Sequence, residues 1–279
     1  MKSVGVALGG GGVRGLAHVA ALETIDAFGV SPVVVSGTSM GAIIGAMYAS
    51  GQSGEEIRRG INNHIVTRND NFKDVLNKTP NLFKWLKFVS VEMSRGGFLG
   101  AEGLIKYLIE GINATTFEEL SIPFYIVATN FWSGEEVVFS SGELLPALRA
   151  TMAIPGVFTP IVVDDRVLVD GGVVNNVPYD LLIDKCDCTV AIDVSPTRTA
   201  GRHKVPNMLD SALGVYDMLV DKVMEGKIRE NAASIYFKFS ISDVRVLEFD
   251  KIESVLDQAQ QSVPELKTQL ERELLEKED

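Results

Sequence analysis

The chain has 279 residues, and 46% of them are hydrophobic, which is enough for the core of one substantial domain. Asp and Glu total 37 against 26 Lys and Arg, so the formal net charge is −11. This charge argues against nucleic acid as a partner and against electrostatic docking on an anionic membrane.

Secretion and membrane insertion are not expected either. The first strand-like run begins within four residues of Met1, which leaves no room for a signal peptide, and no apolar run reaches the roughly 18 residues of a spanning helix. Cys186 and Cys188 are separated by one residue and cannot brace the fold. We therefore expect a protein of the reducing cytoplasm.

Strand-like and helical stretches alternate along the chain. This alternation predicts an α/β fold of three layers, α/β/α, around a mainly parallel central sheet. The strand-like runs are residues 4–8, 33–36, 123–129, 136–139, 161–169, 189–195 and 234–239.

A glycine loop, Gly9 to Gly15, follows the first predicted strand and precedes a predicted helix over 16–28. Its Gly10-x-Gly12-x-x-Gly15 spacing matches a dinucleotide fingerprint, but the next strand ends without the acidic residue that would hold a ribose. A nucleotide-binding P-loop needs a lysine and a hydroxyl after its last glycine, and Leu16 and Ala17 stand there. The remaining interpretation is an oxyanion hole, in which glycine amides at a helix N-terminus face developing negative charge.

Ser39 lies in Gly37-Thr38-Ser39-Met40-Gly41, between the β-branched run 33–35 and a small-residue helical run, 42–46. This is the G-x-S-x-G pattern of a nucleophile elbow. Gly37 and Gly41 suit it because a strand that turns sharply into a helix leaves no room for Cβ atoms. An ordinary polar loop is the alternative for the pentapeptide alone, but the flanking strand and helix favour a serine nucleophile.

Residues 52–120 lie between the helical run that follows Ser39 and the strand-like run at 123–129, and we expect them to form a helical insert. Within it, the segment 82–89 alternates large apolar residues with lysines. This segment fits either an amphipathic helix packed on the core or a peripheral contact with a membrane surface.

Asp170 follows the strand-like run 161–169 and precedes Gly171 and Gly172. Two glycines allow close backbone approach, so the carboxylate can enter a crowded site and serve as a base. A plain Asp-Gly-Gly turn is the alternative.

A serine nucleophile needs a base, and the chain also contains three histidines. His18 falls inside the first predicted helix, where a packed histidine is the simpler interpretation; His64 lies in a polar stretch and His203 in a basic loop. None is aimed by a strand or a turn. His203 nevertheless satisfies the chain order of a hydrolase triad, so a Ser39-Asp170-His203 triad stays open.

Two helical patterns occupy the C-terminal part, over about 206–231 and 250–277. The second keeps an apolar face over several turns. This face fits either docking on the sheet or pairing with a second copy in a homodimer.

The three motifs together resemble those of the patatin-like phospholipases, especially their bacterial branch, which is similar to the esterase domain of neuropathy target esterase. The family's G-G-G-x-R-G stands at Gly10 to Gly15, its G-x-S-x-G at Gly37 to Gly41 and its D-G-G at Asp170 to Gly172. The proline-rich segment 153–160 and the Asn175-Asn176-x-Pro178 stretch are also similar. Three motifs in this order are far more specific than any one of them.

The resemblance covers roughly residues 3–200. It departs from the family at Thr151, where serine is common, and we assign no catalytic role to that position. The resemblance implies a patatin-like catalytic domain over 1–205, with a helical extension over 206–279 packed on the same domain.

In activity, the resemblance implies a hydrolase of lipid acyl esters, of phospholipase A or lysophospholipase type, that uses a catalytic dyad. Ser39 would attack the ester carbonyl, Asp170 would accept its proton, and the amides of Gly10, Gly11 and Gly12 would hold the oxyanion. A carboxylate base acting at neutral pH requires a raised pKa. No metal or cofactor is implied.

Three further points stay open. Arg14, next to Gly15 in the glycine motif, either orders the loop through backbone carbonyls or attracts a phosphate head group. The substrate is open among phospholipids, lysophospholipids, neutral glycerides and other acyl esters. A lipid- or acyl-binding module that kept the scaffold without turnover is the alternative to an enzyme.

Overall fold

The computed structural model describes residues 2–64, 108–197 and 205–275. Within these ranges the strands are β1 Val4–Leu8, β2 Val34–Thr38, β3 Phe124–Asn130, β4 Glu136–Phe139, β5 Ile161–Val163, β6 Arg166–Asp170, β7 Cys188–Asp193 and β8 Ile235–Lys238. The α-helices there are α1 His18–Ala27, α2 Met40–Ala49, α3 Gly54–His64, α4 Leu144–Thr151, α5 Met208–Glu230 and α6 Ile252–Leu275.

The strands form one sheet in the order β5-β6-β3-β2-β1-β7-β8, with β4 paired separately to β3. The pairs β3-β2, β2-β1, β1-β7 and β7-β8 are parallel. β4 and β6 each pair antiparallel with β3, and β5 pairs antiparallel with β6. On one face α1, α2 and α6 pack on the sheet in the main core. The other face is covered by a 3₁₀ segment, Tyr179–Lys185, and by Met224 of α5. The predicted three-layer α/β fold with a mainly parallel sheet is confirmed.

The register of β3 brings two distant strand ends together. Val127 pairs with Thr38, the last residue of β2, and the next residue, Ala128, pairs with Asp170, the last residue of β6. Since β4 pairs with both β3 residues from one edge, β2 and β6 meet end to end along the other edge. Ser39, which follows Thr38, therefore lies beside Asp170.

Two predicted elements differ in detail. The run 161–169 is a hairpin, β5 and β6, because the chain turns at Asp164 and Asp165, which both have positive φ. The predicted helix over 16–28 is preceded by a 3₁₀ turn, Gly12–Ala17, and α1 itself begins only at His18.

The C-terminal part belongs to the body of the fold. It supplies β8 to the sheet, and the apolar face of α6 is buried in the main core. Of the two uses expected for this face, the structure shows docking within the chain. The buried residues of α6 are Ile252, Val255, Leu256, Ala259, Val263, Leu266 and Leu270.

Several predictions fall on residues outside the described ranges. These are most of the helical insert, its segment 82–89, and His203. Among the helices that the structure describes, none has the length and hydropathy needed to cross a bilayer.

Candidate active site

Ser39 occupies a strained turn between β2 and α2. Its φ of 54° and ψ of −125° place a non-glycine residue in the left-handed half of backbone space, which costs energy and is a hallmark of nucleophile elbows. The glycines permit this turn by close approach. A Cβ on Gly37 would lie 2.7 Å from Cα of Ala42, and a Cβ on Gly41 would lie 2.6 Å from the carbonyl oxygen of Gly9.

Thr151, at the end of α4, helps to hold the elbow. Its Oγ1 accepts a hydrogen bond of 2.8 Å from the backbone amide of Ser39. We assigned no role to Thr151 from the sequence. The one sequence feature that pointed to this position is that the family commonly carries serine there. Either residue supplies the hydroxyl acceptor that this buried amide needs.

Asp170 presents one occupied and one open oxygen. Its Oδ1 accepts hydrogen bonds from the Gly172 amide at 2.8 Å and from the Tyr216 hydroxyl at 3.2 Å, whereas Oδ2 has no hydrogen-bond partner among the described residues. Burial raises the pKa of Asp170 to about 6, against the lowering effects of the Ser39 hydroxyl, the Gly172 amide and Tyr216. The Ser39 hydroxyl is close enough to the carboxylate to affect this pKa, and Oδ2 is the oxygen left open to receive a proton.

Gly171 and Gly172 are required by packing around this carboxylate. A Cβ on Gly171 would collide with the backbone of β3, 2.6 Å from the Val127 carbonyl carbon. A Cβ on Gly172 would lie 2.6 Å from the Tyr216 hydroxyl. The Asp-Gly-Gly motif therefore lets β3 and α5 approach the carboxylate closely.

The glycine loop lines the same site, and its amides are not equivalent. The Gly10 amide donates to the Asn176 carbonyl oxygen at 3.1 Å, and the Asn176 side chain donates back to the Gly10 carbonyl at 3.2 Å. Gly10 is thus occupied in holding the loop. Gly11 and Gly12 come at the N-terminus of the 3₁₀ turn, where amides have no acceptor within the turn itself.

Arg14 is buried, with 1% of its surface exposed, and spans three acceptors. Its Nε donates to the Val194 carbonyl at 3.1 Å, Nη1 donates to the Val244 carbonyl at 3.2 Å, and Nη2 donates to Asp217 at 3.0 Å. These contacts favour the structural interpretation of Arg14 over a head-group site. Gly15, one residue on, leaves space for Met40, because a Cβ there would lie 2.6 Å from the Met40 Cβ.

His18 is packed inside the fold, as expected. Its Nε2 is 2.7 Å from the Gly9 carbonyl oxygen, and burial lowers its pKa to about 4. The ring is therefore neutral and donates to that carbonyl. The side chain of His64, like His203, lies outside the described residues.

Ser39, Asp170 and the glycine loop line one cavity of about 20 Å³. Tyr216 and Val220 of α5, together with Val246, also line it. Such a volume holds a single water molecule. The motif residues named from the sequence are thus brought together, and Tyr216 is a site residue that no local sequence pattern indicated.

A protein-family model described as "Patatin-like phospholipase" matches residues 6–183 of the chain. An uncharacterized NTE family protein of Mycobacterium tuberculosis is 31% identical over 207 residues, covering 74% of this chain and 53% of the relative. The protein "Neuropathy target esterase sws" of Drosophila melanogaster is 28% identical over 183 residues, covering 65% of this chain and 12% of the relative. The chain thus spans about half the length of the mycobacterial relative.

Among solved structures, VipD from Legionella pneumophila superposes with a TM-score of 0.51 at 13% sequence identity, covering 96% of this chain and 66% of that one. This likeness supports the fold alone. The family match spans the glycine loop, the serine elbow and the Asp-Gly-Gly turn, which are the three features that meet at the cavity. The chain therefore belongs to the patatin-like phospholipase family.

Proposed function

We propose that the chain is a serine hydrolase of lipid acyl esters, of phospholipase A or lysophospholipase type, that works through a dyad of Ser39 and Asp170. The names of two relatives, "Lysophospholipase NTE1" of Mycosarcoma maydis and the Drosophila esterase, support this substrate class. The observation that carries the proposal is the Asp170 carboxylate, which is fixed through Oδ1 and leaves Oδ2 open beside a strained serine.

In the first half-reaction, Ser39 Oγ attacks the ester carbonyl carbon while its proton passes to Asp170 Oδ2. The carbonyl oxygen becomes an oxyanion and accepts hydrogen bonds from the amides of Gly11 and Gly12. The bond to the alcohol then breaks, and Asp170 returns the proton to the departing alkoxide. The products are a free alcohol or lysolipid and an acyl ester on Ser39.

In the second half-reaction, water takes the place of the alcohol. Asp170 removes a proton from the water as it attacks the acyl carbon, the same amides hold the oxyanion, and the proton returns to Ser39 Oγ. The fatty acid leaves, and the enzyme regains its starting state. No histidine is needed, because the raised pKa of Asp170 makes the carboxylate an adequate base.

The test is hydrolysis of acyl esters across a chain-length series, together with labelling by a fluorophosphonate probe. We expect Ser39→Ala to abolish both and Asp170→Asn to lower kcat by about 10²- to 10⁴-fold. Because Asp170 must be ionised to act, kcat/KM should fall tenfold per pH unit below about 6 and level off above it.

His203→Ala separates the dyad from a triad. The dyad predicts nearly unchanged turnover, whereas a collapse of activity with intact folding would establish His203 as the base. If folded protein neither cleaves any ester nor takes the label at Ser39, the hydrolase proposal fails and a binding module replaces it.

A further inference from the structure

One helix forms part of the wall of the catalytic cavity. Tyr216, Asp217 and Val220 of α5 line it from outside the catalytic motifs. Its volume of about 20 Å³ has room for a water but not for an ester group with its chains. The inner side of α5 therefore adjoins the site that would take the ester.

The opposite face of α5 is apolar and exposed to solvent. Met208 is 90% exposed and Leu219 is 63% exposed, and none of the charged residues within 205–219 falls in the exposed class. Within α5 this outer face consists of Met208, Val215, Met218 and Leu219.

The acidic residues of the same stretch turn inward and are paired. Asp210 accepts from Arg245 at 2.6 Å, and Asp217 accepts from the buried Arg14 at 3.0 Å. A chain with a net charge of −11 thus presents a neutral apolar strip directly above its catalytic cavity. Scattered exposed apolar residues are ordinary, but a continuous strip marks an interaction surface.

α5 is attached to the body of the fold through its inner side. Only Leu213, Val220 and Met224 of its 23 residues are buried. Leu213 packs in a small cluster with Ile154, Val157 and Val246 that is separate from the main core. Met224 packs on the sheet with Val177 and Ala191, and Asp217 pairs with Arg14, so the inner side of α5 is fixed to the body while its outer face stays exposed.

We infer that the outer face of α5 docks on an uncharged or zwitterionic lipid surface, which brings the adjoining catalytic cavity to its substrate. The inference rests on the proposed function, since the helix that would meet the lipid also lines the site that would cleave it. A second protein copy on this face would bring no substrate to the cavity, whereas a lipid surface delivers it. The negative net charge selects neutral over anionic lipid.

Binding is tested without turnover, on Ser39→Ala protein floated with phosphatidylcholine vesicles. The added change Val215→Asp with Leu219→Asp should lower the bound fraction at least about tenfold, because two apolar anchors become charged. Met208→Asp is an independent variant that a helix N-terminus tolerates well. Val162→Asp, at a residue 68% exposed on β5, is the matched control and should bind as the parent does.

Activity is then compared as a ratio, phosphatidylcholine vesicles over a soluble short-chain ester, which a general loss of folded protein leaves unchanged. We expect the double variant to lower this ratio about tenfold and Val162→Asp to leave it unaltered. Equal flotation of parent and double variant, or no flotation of either, overturns the inference. The inference is also overturned, in favour of a second copy, if light scattering shows a dimer of the parent that does not float and that the double variant alone converts to monomer. Flotation without hydrolysis of any ester by the wild-type chain would sink the proposed function and leave the docking surface standing.

Discussion

Asp170 is held where its ionised form lowers the stability of the fold. Its pKa is about 6 in the folded protein against an ordinary value of 3.8, because burial disfavours the charge more than the neighbouring Ser39, Gly172 and Tyr216 groups favour it. The folded state therefore binds the proton more tightly than the unfolded chain does. The stability that this affinity contributes is fully present below about pH 4 and is lost as the pH rises through about 6.

Asp170→Asn should consequently remove activity and increase stability. The amide keeps the shape and the Oδ1 acceptor but carries no charge, so we expect the free energy of unfolding at pH 7 to rise by up to about 3 kcal/mol. Urea unfolding at pH 7 and at pH 4 measures this. The advantage over wild type should disappear at pH 4; a variant that is less stable at pH 7 would show that the buried charge is compensated.

Arg14 acts in this structure as a buried brace between the glycine loop and two C-terminal segments. Arg14→Lys keeps the charge but cannot reach two carbonyls and a carboxylate together, so we expect a loss of about 2–4 kcal/mol in the free energy of unfolding. Arg59→Lys, at a side chain 65% exposed, is the control and should change little. Unchanged stability of Arg14→Lys would return Arg14 to the head-group interpretation.

At the scale of elements, the serine elbow depends on how closely α2 approaches the end of β1. Gly41 lies so near the carbonyl oxygens of Leu8 and Gly9 that any Cβ would overlap them. Because both oxygens are backbone atoms, they cannot rotate aside. The spacing between α2 and the glycine loop is therefore set by the absence of one side chain.

Gly41→Ala should lower the free energy of unfolding by about 2–4 kcal/mol and reduce fluorophosphonate labelling of Ser39, because α2 must shift away from the loop. Gly226→Ala is the matched control in α5, where a Cβ meets nothing within 4 Å. It should raise stability by about 0.5–1 kcal/mol through helix propensity. Thermal unfolding and labelling rates measure both; full labelling of Gly41→Ala would refute the close-packed elbow.

At the scale of the whole molecule, α6 belongs to the same core as the central strands β1, β2 and β7. Leu266 is fully buried in α6, next to the exposed Lys267. We expect Leu266→Ala to lower the free energy of unfolding by about 2–5 kcal/mol and Lys267→Ala to change it by less than about 0.5 kcal/mol. Urea unfolding at two protein concentrations gives the measurement. A urea midpoint that rises with protein concentration would indicate a dimer and would support the alternative that the C-terminal helices pair with a second copy.

Prediction from the sequence succeeded where a local backbone requirement selects residue types. The elbow requires glycine at positions 37 and 41, and Asp170 must be followed by glycine. Short sequence motifs therefore indicated both features. It failed at the β5 and β6 hairpin, because Asp164 and Asp165 make the turn without glycine or proline. It also could not find Tyr216, which reaches Asp170 across 46 residues of sequence.

By itself, the sequence determined the α/β class, the mainly parallel sheet, and the three motifs that now place the chain in its family, since periodicity and tight turns are encoded over a few neighbouring residues. Only the tertiary structure decided that β2 and β6 meet end to end, that the Gly10 amide donates to the Asn176 carbonyl, and that α5 lines the cavity. These depend on packing between segments distant in the chain, where many side chains jointly choose one arrangement and no local pattern records the choice.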